Sequence, residues 1–186
     1  MKTRVLALAV TFALTASTAF AGGFSVTSPD LKPGAAIGDK FVFSGFGCTG
    51  GNVSPGLIWK NAPKGTKSFA VTSYDPDAPT GSGWWHWVAF NIPATATELP
   101  SGAGTADGAT LPAGTVQSRT DFGAPGYGGP CPPKGDKPHH YTFTVFALKV
   151  DALPVVDANS PAAMVGYFLN ANAIAKAGLT AKYGRK

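Results

Sequence analysis

Apolar and polar positions alternate along Ser68–Tyr74, where Phe69, Val71 and Ser73 share one face and Ala70, Thr72 and Tyr74 share the other. The same period of two runs over Tyr141–Val150, and it is the period of a β-strand. Shorter strands are predicted at residues 24–27, 41–44, 57–59 and 87–92, separated by turns such as Lys32-Pro33-Gly34 and Ala62-Pro63-Lys64-Gly65. Many short strands between such turns predict an antiparallel β-sandwich. The tract 94–115 is rich in Ala, Gly and Thr with few large apolar residues, and is expected to run over the surface.

One segment changes period. Met164, Val165, Phe168 and Leu169 form a helical stripe expected to pack in the core, with Ser160 as cap, Pro161 at the first helical position and Gly178 as stop. Residues 180–185 are expected to form a last short strand or a tail. The predicted class is mainly β, an antiparallel sandwich with a C-terminal helix.

The first residues obey different rules. Lys2 and Arg4 precede an apolar run over 5–20 that closes with Ala19-Phe20-Ala21, the layout of a secretory signal peptide cut after Ala21. The run is about 16 residues, short of the roughly 20 of a membrane helix, so no stable membrane insertion is expected. The mature chain, 22–186, is expected to be one domain in the periplasm or secreted. Lys2 and Arg4 belong to the leader, so the net charge of +5 falls to +3 on cleavage. A mild surplus without a Lys/Arg cluster argues against a nucleic-acid partner.

An exported chain with two cysteines in loops, Cys48 and Cys131, is expected to join them in a disulfide. His86, His139 and His140 accompany Asp75 and Asp77, but H-x-x-x-H and C-x-x-C spacings are absent, so neither a metal nor a cofactor is expected. In a strand continuing into Tyr141, His139 and His140 point to opposite faces, and only one can join His86. No Gly-x-Ser-x-Gly elbow occurs, and Ser73 and Ser82 show no activating base.

The polar residues suit a small charged ligand. Tyr74-Asp75-Pro76-Asp77-Ala78-Pro79 ends a strand in a rigid acidic turn, followed by Trp84-Trp85-His86-Trp87 and by Pro130-Cys131-Pro132-Pro133 running into His139-His140-Tyr141. His86 and Tyr141 can donate to a phosphate oxygen, and backbone N–H groups around Gly128, Gly129 and Cys131 can form an anion-binding concavity. Asp75 is expected either to fix the tautomer of His86 and raise its pKa, or to receive the ammonium of a zwitterion such as phosphoethanolamine. The plainer alternative makes Asp75 a turn cap and packs His86 under Trp84.

These three motifs, with Gly45-Phe46-Gly47-Cys48-Thr49-Gly50-Gly51-Asn52-Val53-Ser54-Pro55, resemble the signature regions of the phosphatidylethanolamine-binding protein family, in its bacterial Raf kinase inhibitor-like branch. The resemblance covers nearly all of the mature chain. It implies a two-sheet sandwich and a pocket for phosphate or phosphorylated head groups. Asp75, Trp84 and His86 match the pocket aspartate, tryptophan and histidine, Pro132 and Pro133 a proline wall, and His139 and Tyr141 the opposite rim. Animal members carry a second histidine where this chain has Trp85, and an arginine where it has His140. Losing that guanidinium removes a permanent charge.

Kinase inhibition is not inherited by an exported protein. The expected function is a non-enzymatic binding protein for a small anionic or zwitterionic phosphorylated ligand. Two alternatives stand beside it: an interaction module that modulates a protease, kinase or other protein partner, and a weak hydrolase using Asp75 and His86.

Overall fold

The computed structural model describes residues 22–186, and the predicted signal peptide and its cleavage site lie outside that range. The frame is a five-stranded antiparallel sheet built on the two segments with the clearest alternation, β5 (Ser68–Asp75) and β9 (His139–Leu148). These are flanked by β6 (Trp84–Pro93) with β8 (Val116–Gln117) and by β10 (Ala173–Tyr183), in the order β10-β9-β5-β6-β8. A second sheet holds β1 (Ser25–Thr27), β4 (Leu57–Lys60) and β7 (Glu98–Leu99), and β2 (Ser44–Gly45) pairs with β3 (Cys48–Thr49).

The alternation along β5 feeds two cores. Phe69 and Val71 face the cluster between the sheets, with Leu57, Trp59, Trp87 and Phe143. Ala70 faces the opposite cluster, where Val88, Phe90 and Leu148 pack under helix α1 (Ala162–Asn172) through Val165 and Leu169. A sheet covered on both faces must bury nearly every side chain of its central strands, which is why β5 is almost continuously buried.

Several expected elements are redrawn. Of the segment 41–44 only Ser44 is in a strand, β2: residues Asp39–Phe41 form a short 3-10 turn, and Phe41 and Val42 are both buried, so the period of two is broken there. Pro161 takes the N-cap place, while Ser160 instead bonds with Asp157. Val165, Leu169 and the partly buried Phe168 pack in the core cluster with Ala162, whereas Met164 is exposed. The helix stops at Asn172, and Gly178 lies within β10, opposite Thr144 of β9. Residues 180–183 are therefore the end of an eleven-residue strand. The tract 94–115 is not wholly superficial, since Leu99 pairs with Leu57 and both Leu99 and Ala103 join the inter-sheet core.

Cys48 and Cys131 are bonded, with Cα atoms 6.0 Å apart. The bridge ties the β2–β3 turn to the 130–135 loop across 83 residues of sequence, a constraint worth on the order of 4 kcal/mol in the chain-entropy picture.

Candidate functional site

The site begins with a fault in strand pairing. Ser73 lies opposite Trp87 and Tyr74 opposite Trp85, so His86 is an extra residue, a β-bulge. Regular alternation would send His86 to the helix side of the sheet. The bulge turns it, and Trp84 two residues before it, to the inter-sheet side, while Trp85 packs toward the helix. Gly83 makes the approach feasible: its φ is +67°, and a Cβ there would come within 2.2 Å of the Tyr74 hydroxyl oxygen.

With Tyr74 opposite Thr142, the side chains of Asp75, Tyr141 and His139 fall on that same inter-sheet side. All eight residues expected at the site line one cavity of about 180 Å³: Asp75, Trp84, His86, Cys131, Pro132, Pro133, His139 and Tyr141. Motif reading missed two of its aromatic members, Phe46 and Phe122. Phe122 contacts the rings of both Trp84 and His86, and Phe46 stands 68% exposed with φ at +51°. The turn is pinned by the disulfide and by Arg185, whose guanidinium donates to the carbonyls of Phe46 and Pro132. Only the lone aromatic among the glycines of Gly45-Phe46-Gly47 hinted at this role.

The hydrogen bonds of the site divide sharply. The Nδ1 of His139 lies 2.8 Å from Asp75 Oδ2 and its Nε2 lies 3.3 Å from Asp136 Oδ2. A ring carrying both protons can donate to both carboxylates. The other Asp75 oxygen accepts the Asp77 N–H at 2.8 Å, which caps the turn. Asp75 therefore orients His139, and the expected bond to His86 is absent. His140, on the opposite face as expected, meets Asp77 at 2.7 Å near the surface.

His86 is held differently. Its Nδ1 lies 2.7 Å from the Gly128 carbonyl, and since a carbonyl can only accept, Nδ1 carries the proton. Burial pushes its pKa down to about 4, against the upward pull of the Gly128 carbonyl and the Asp75 charge. The expectation of a raised pKa is overturned because desolvation outweighs the carboxylate. Of the backbone donors expected around Gly128, Gly129 and Cys131, two are engaged within the protein: Gly128 N–H donates to the His86 carbonyl and Gly129 N–H to Asn52 Oδ1.

Two donors are left over. The Trp84 Nε1–H and the Tyr141 hydroxyl are both buried without a protein partner. Buried tyrosine hydroxyls ordinarily find one, as Tyr127 does at the Phe41 carbonyl, 3.0 Å away. Burial, then the nearby Asp75 charge and the pull of that carboxylate on the hydroxyl proton, raise the pKa of Tyr141 far above its ordinary value; the hydroxyl remains a donor, with Asp75 its nearest protein acceptor but outside ordinary hydrogen-bond geometry.

Comparison with known proteins agrees with this architecture. The family model described as phosphatidylethanolamine-binding protein matches residues 27–184. The UPF0098 protein YbcL of Escherichia coli (strain K12) is 60% identical over 183 residues, covering 98% of each chain. The UPF0098 protein YbhB of the same strain is 49% identical over 156 residues, covering 84% of this chain and 97% of its own. The crystal structure of E. coli YbcL superposes with a TM-score of 0.87 at 62% identity, over 89% of this chain and all of that one. The chain is thus a member of the phosphatidylethanolamine-binding protein family, with the mainly β fold of that family.

Proposed function

We propose that residues 22–186 act as a single-domain, non-enzymatic binding protein whose cavity takes a small phosphorylated or other anionic ligand. The observation that carries this reading is a pair of buried, unpartnered donors, Trp84 Nε1–H and Tyr141 O–H, on side chains that line one cavity. Each costs about 1–3 kcal/mol while it lacks an acceptor, and a ligand oxygen supplies one. A volume of about 180 Å³ fits a head group better than a lipid, since sites for drug-sized ligands begin near ~300 Å³. Export through the predicted leader agrees with the disulfide, and no helix of the described residues is long and apolar enough to cross a membrane.

Turnover has weak support. The carboxylate-oriented histidine, His139, aims its second nitrogen at Asp136, and His86 is oriented by a carbonyl; neither hydrogen-bonds a hydroxyl nucleophile. The exposed Phe46 ring on the rim favours a second reading, in which a protein partner docks over the cavity. Calorimetric titration with phosphoethanolamine separates the two. The small-ligand reading expects saturable binding that Tyr141→Phe weakens by about tenfold. Binding absent in both proteins at about 10 mM ligand defeats it.

A further inference from the structure

The cavity wall offers an acceptor as well as donors. With the proton of His86 committed at Nδ1 to the Gly128 carbonyl, 2.7 Å away, Nε2 is a bare lone pair with no hydrogen bond from the protein, on a ring that lines the cavity. His86 as a residue is only 4% exposed. The Trp84 and Tyr141 donors belong to side chains that line the same cavity. A fully ionised oxyanion satisfies the donors but leaves Nε2 facing a second lone pair. An oxyanion that keeps one hydroxyl satisfies all three.

Resting on the anion-pocket reading above, we propose that this cavity selects proton-bearing oxyanions, the monoanion of a phosphomonoester above all, with the ligand hydroxyl donating to His86 Nε2. Trp84 and Tyr141 donate to the remaining oxygens. No bond is made or broken; the ligand enters with its proton and keeps it. His86 is then the specificity-determining residue that rejects isosteric anions lacking a hydroxyl.

The surroundings hold His86 in the accepting form. Burial keeps its pKa near about 4, so the ring is neutral at every pH above that. The groups facing it are the Asp75 carboxylate from β5, Asp121 from the segment after β8, and from β9 the Tyr141 hydroxyl, with His139 stacked behind Tyr141. Asp75 and Asp121 pull the pKa of His86 upward but do not overcome burial, and both carboxylates further disfavour a ligand of charge −2.

The discriminating pair is methyl phosphate and methyl sulfate, alike in shape and, below pH about 6, in charge, but differing in the one hydroxyl. In calorimetric titrations of the unaltered protein at pH 5.5, methyl phosphate is expected to bind at least about tenfold more tightly than methyl sulfate, because a buried acceptor left unpaired is costly. Its apparent affinity is expected to fall about tenfold per pH unit above about 6, as the monoanion is depleted. A singly protonated His86 ring in the ¹⁵N spectrum of the complex completes the expected result. Equal affinities at both pH 5.5 and pH 8, or a doubly protonated ring in the complex, overturn the proposal while leaving an anion pocket standing. No binding of either anion up to about 10 mM overturns the anion reading itself and this inference with it.

Discussion

His139 and His140 are neighbours in sequence, and each meets an aspartate of the β5 turn at nearly the same distance, 2.8 Å to Asp75 and 2.7 Å to Asp77. Their settings are opposite. His139 and Asp75 are buried on the inter-sheet face, whereas His140 and Asp77 have side chains 45% and 42% exposed. Equal geometry therefore carries unequal energy, because water screens one pair and is excluded from the other. A third histidine, His86, shares the burial of His139 but not its partners. An unpaired atom marks a group available to a ligand only where its side chain also lines a cavity, since the buried hydroxyls of Ser73, Thr115 and Ser118 are unpaired away from it.

The largest effect expected from breaking this contrast is at the buried pair. Asp75→Ala leaves His139 buried beside a single, more distant carboxylate, and is expected to cost about 3–5 kcal/mol in urea unfolding. A loss below about 1 kcal/mol would place the pair with the surface bridges. Next comes acid. A base whose folded pKa lies near 4 against an ordinary 6.5 favours the folded state fully above about 6.5. That contribution, on the order of 3 kcal/mol, is lost as the pH falls from 6.5 toward 4. Melting temperature is expected to drop across that window, and His86→Gln, which cannot titrate, to flatten the drop.

Tyr141→Phe sharpens the difference between structural and available groups. Removing a hydroxyl without a partner is expected to leave stability within about 1 kcal/mol of the original, or to raise it, while ligand affinity falls. Tyr127→Phe, which deletes a hydroxyl bonded to the Phe41 carbonyl, is expected to destabilise by about 1 kcal/mol instead. Smallest is Asp77→Asn. The hydrogen bond from His140 lowers the pKa of Asp77, so its contribution is present above about 3.8 and lost as the pH falls through the lower folded value. Exposure keeps that contribution under about 1 kcal/mol.

The parts of this molecule legible in the sequence are those whose signal is local. Period two in β5 and β9, the proline-locked acidic turn and the short motifs around Trp84 and His139 needed only neighbouring residues to be read. What escaped depends on partners far along the chain. The Asp75–His139 pair spans 64 residues, and nothing near His86 announced that the Gly128 carbonyl, 42 residues away, would accept its Nδ1–H. The bulge at His86 is a mismatch between two strands, invisible in either alone. Strand β10 was hidden by composition: its Ala, Lys and Gly have weak strand preference, and pairing along β9 overrides it. Met164 fits the helical period, yet Ala162, Val165, Phe168 and Leu169 make the helix's contacts with the cluster and Met164 does not.

The central claim is that Trp84 and Tyr141 are donors waiting for a ligand oxygen, and the indole N–H of Trp84 reports on it directly in a ¹H–¹⁵N spectrum. Titration with phosphoethanolamine is expected to move that resonance downfield, saturably, with the other tryptophan indoles little changed and the response lost in His86→Ala. A Trp84 signal that stays in place up to about 10 mM ligand, a limit of roughly −2.7 kcal/mol, would contradict the account.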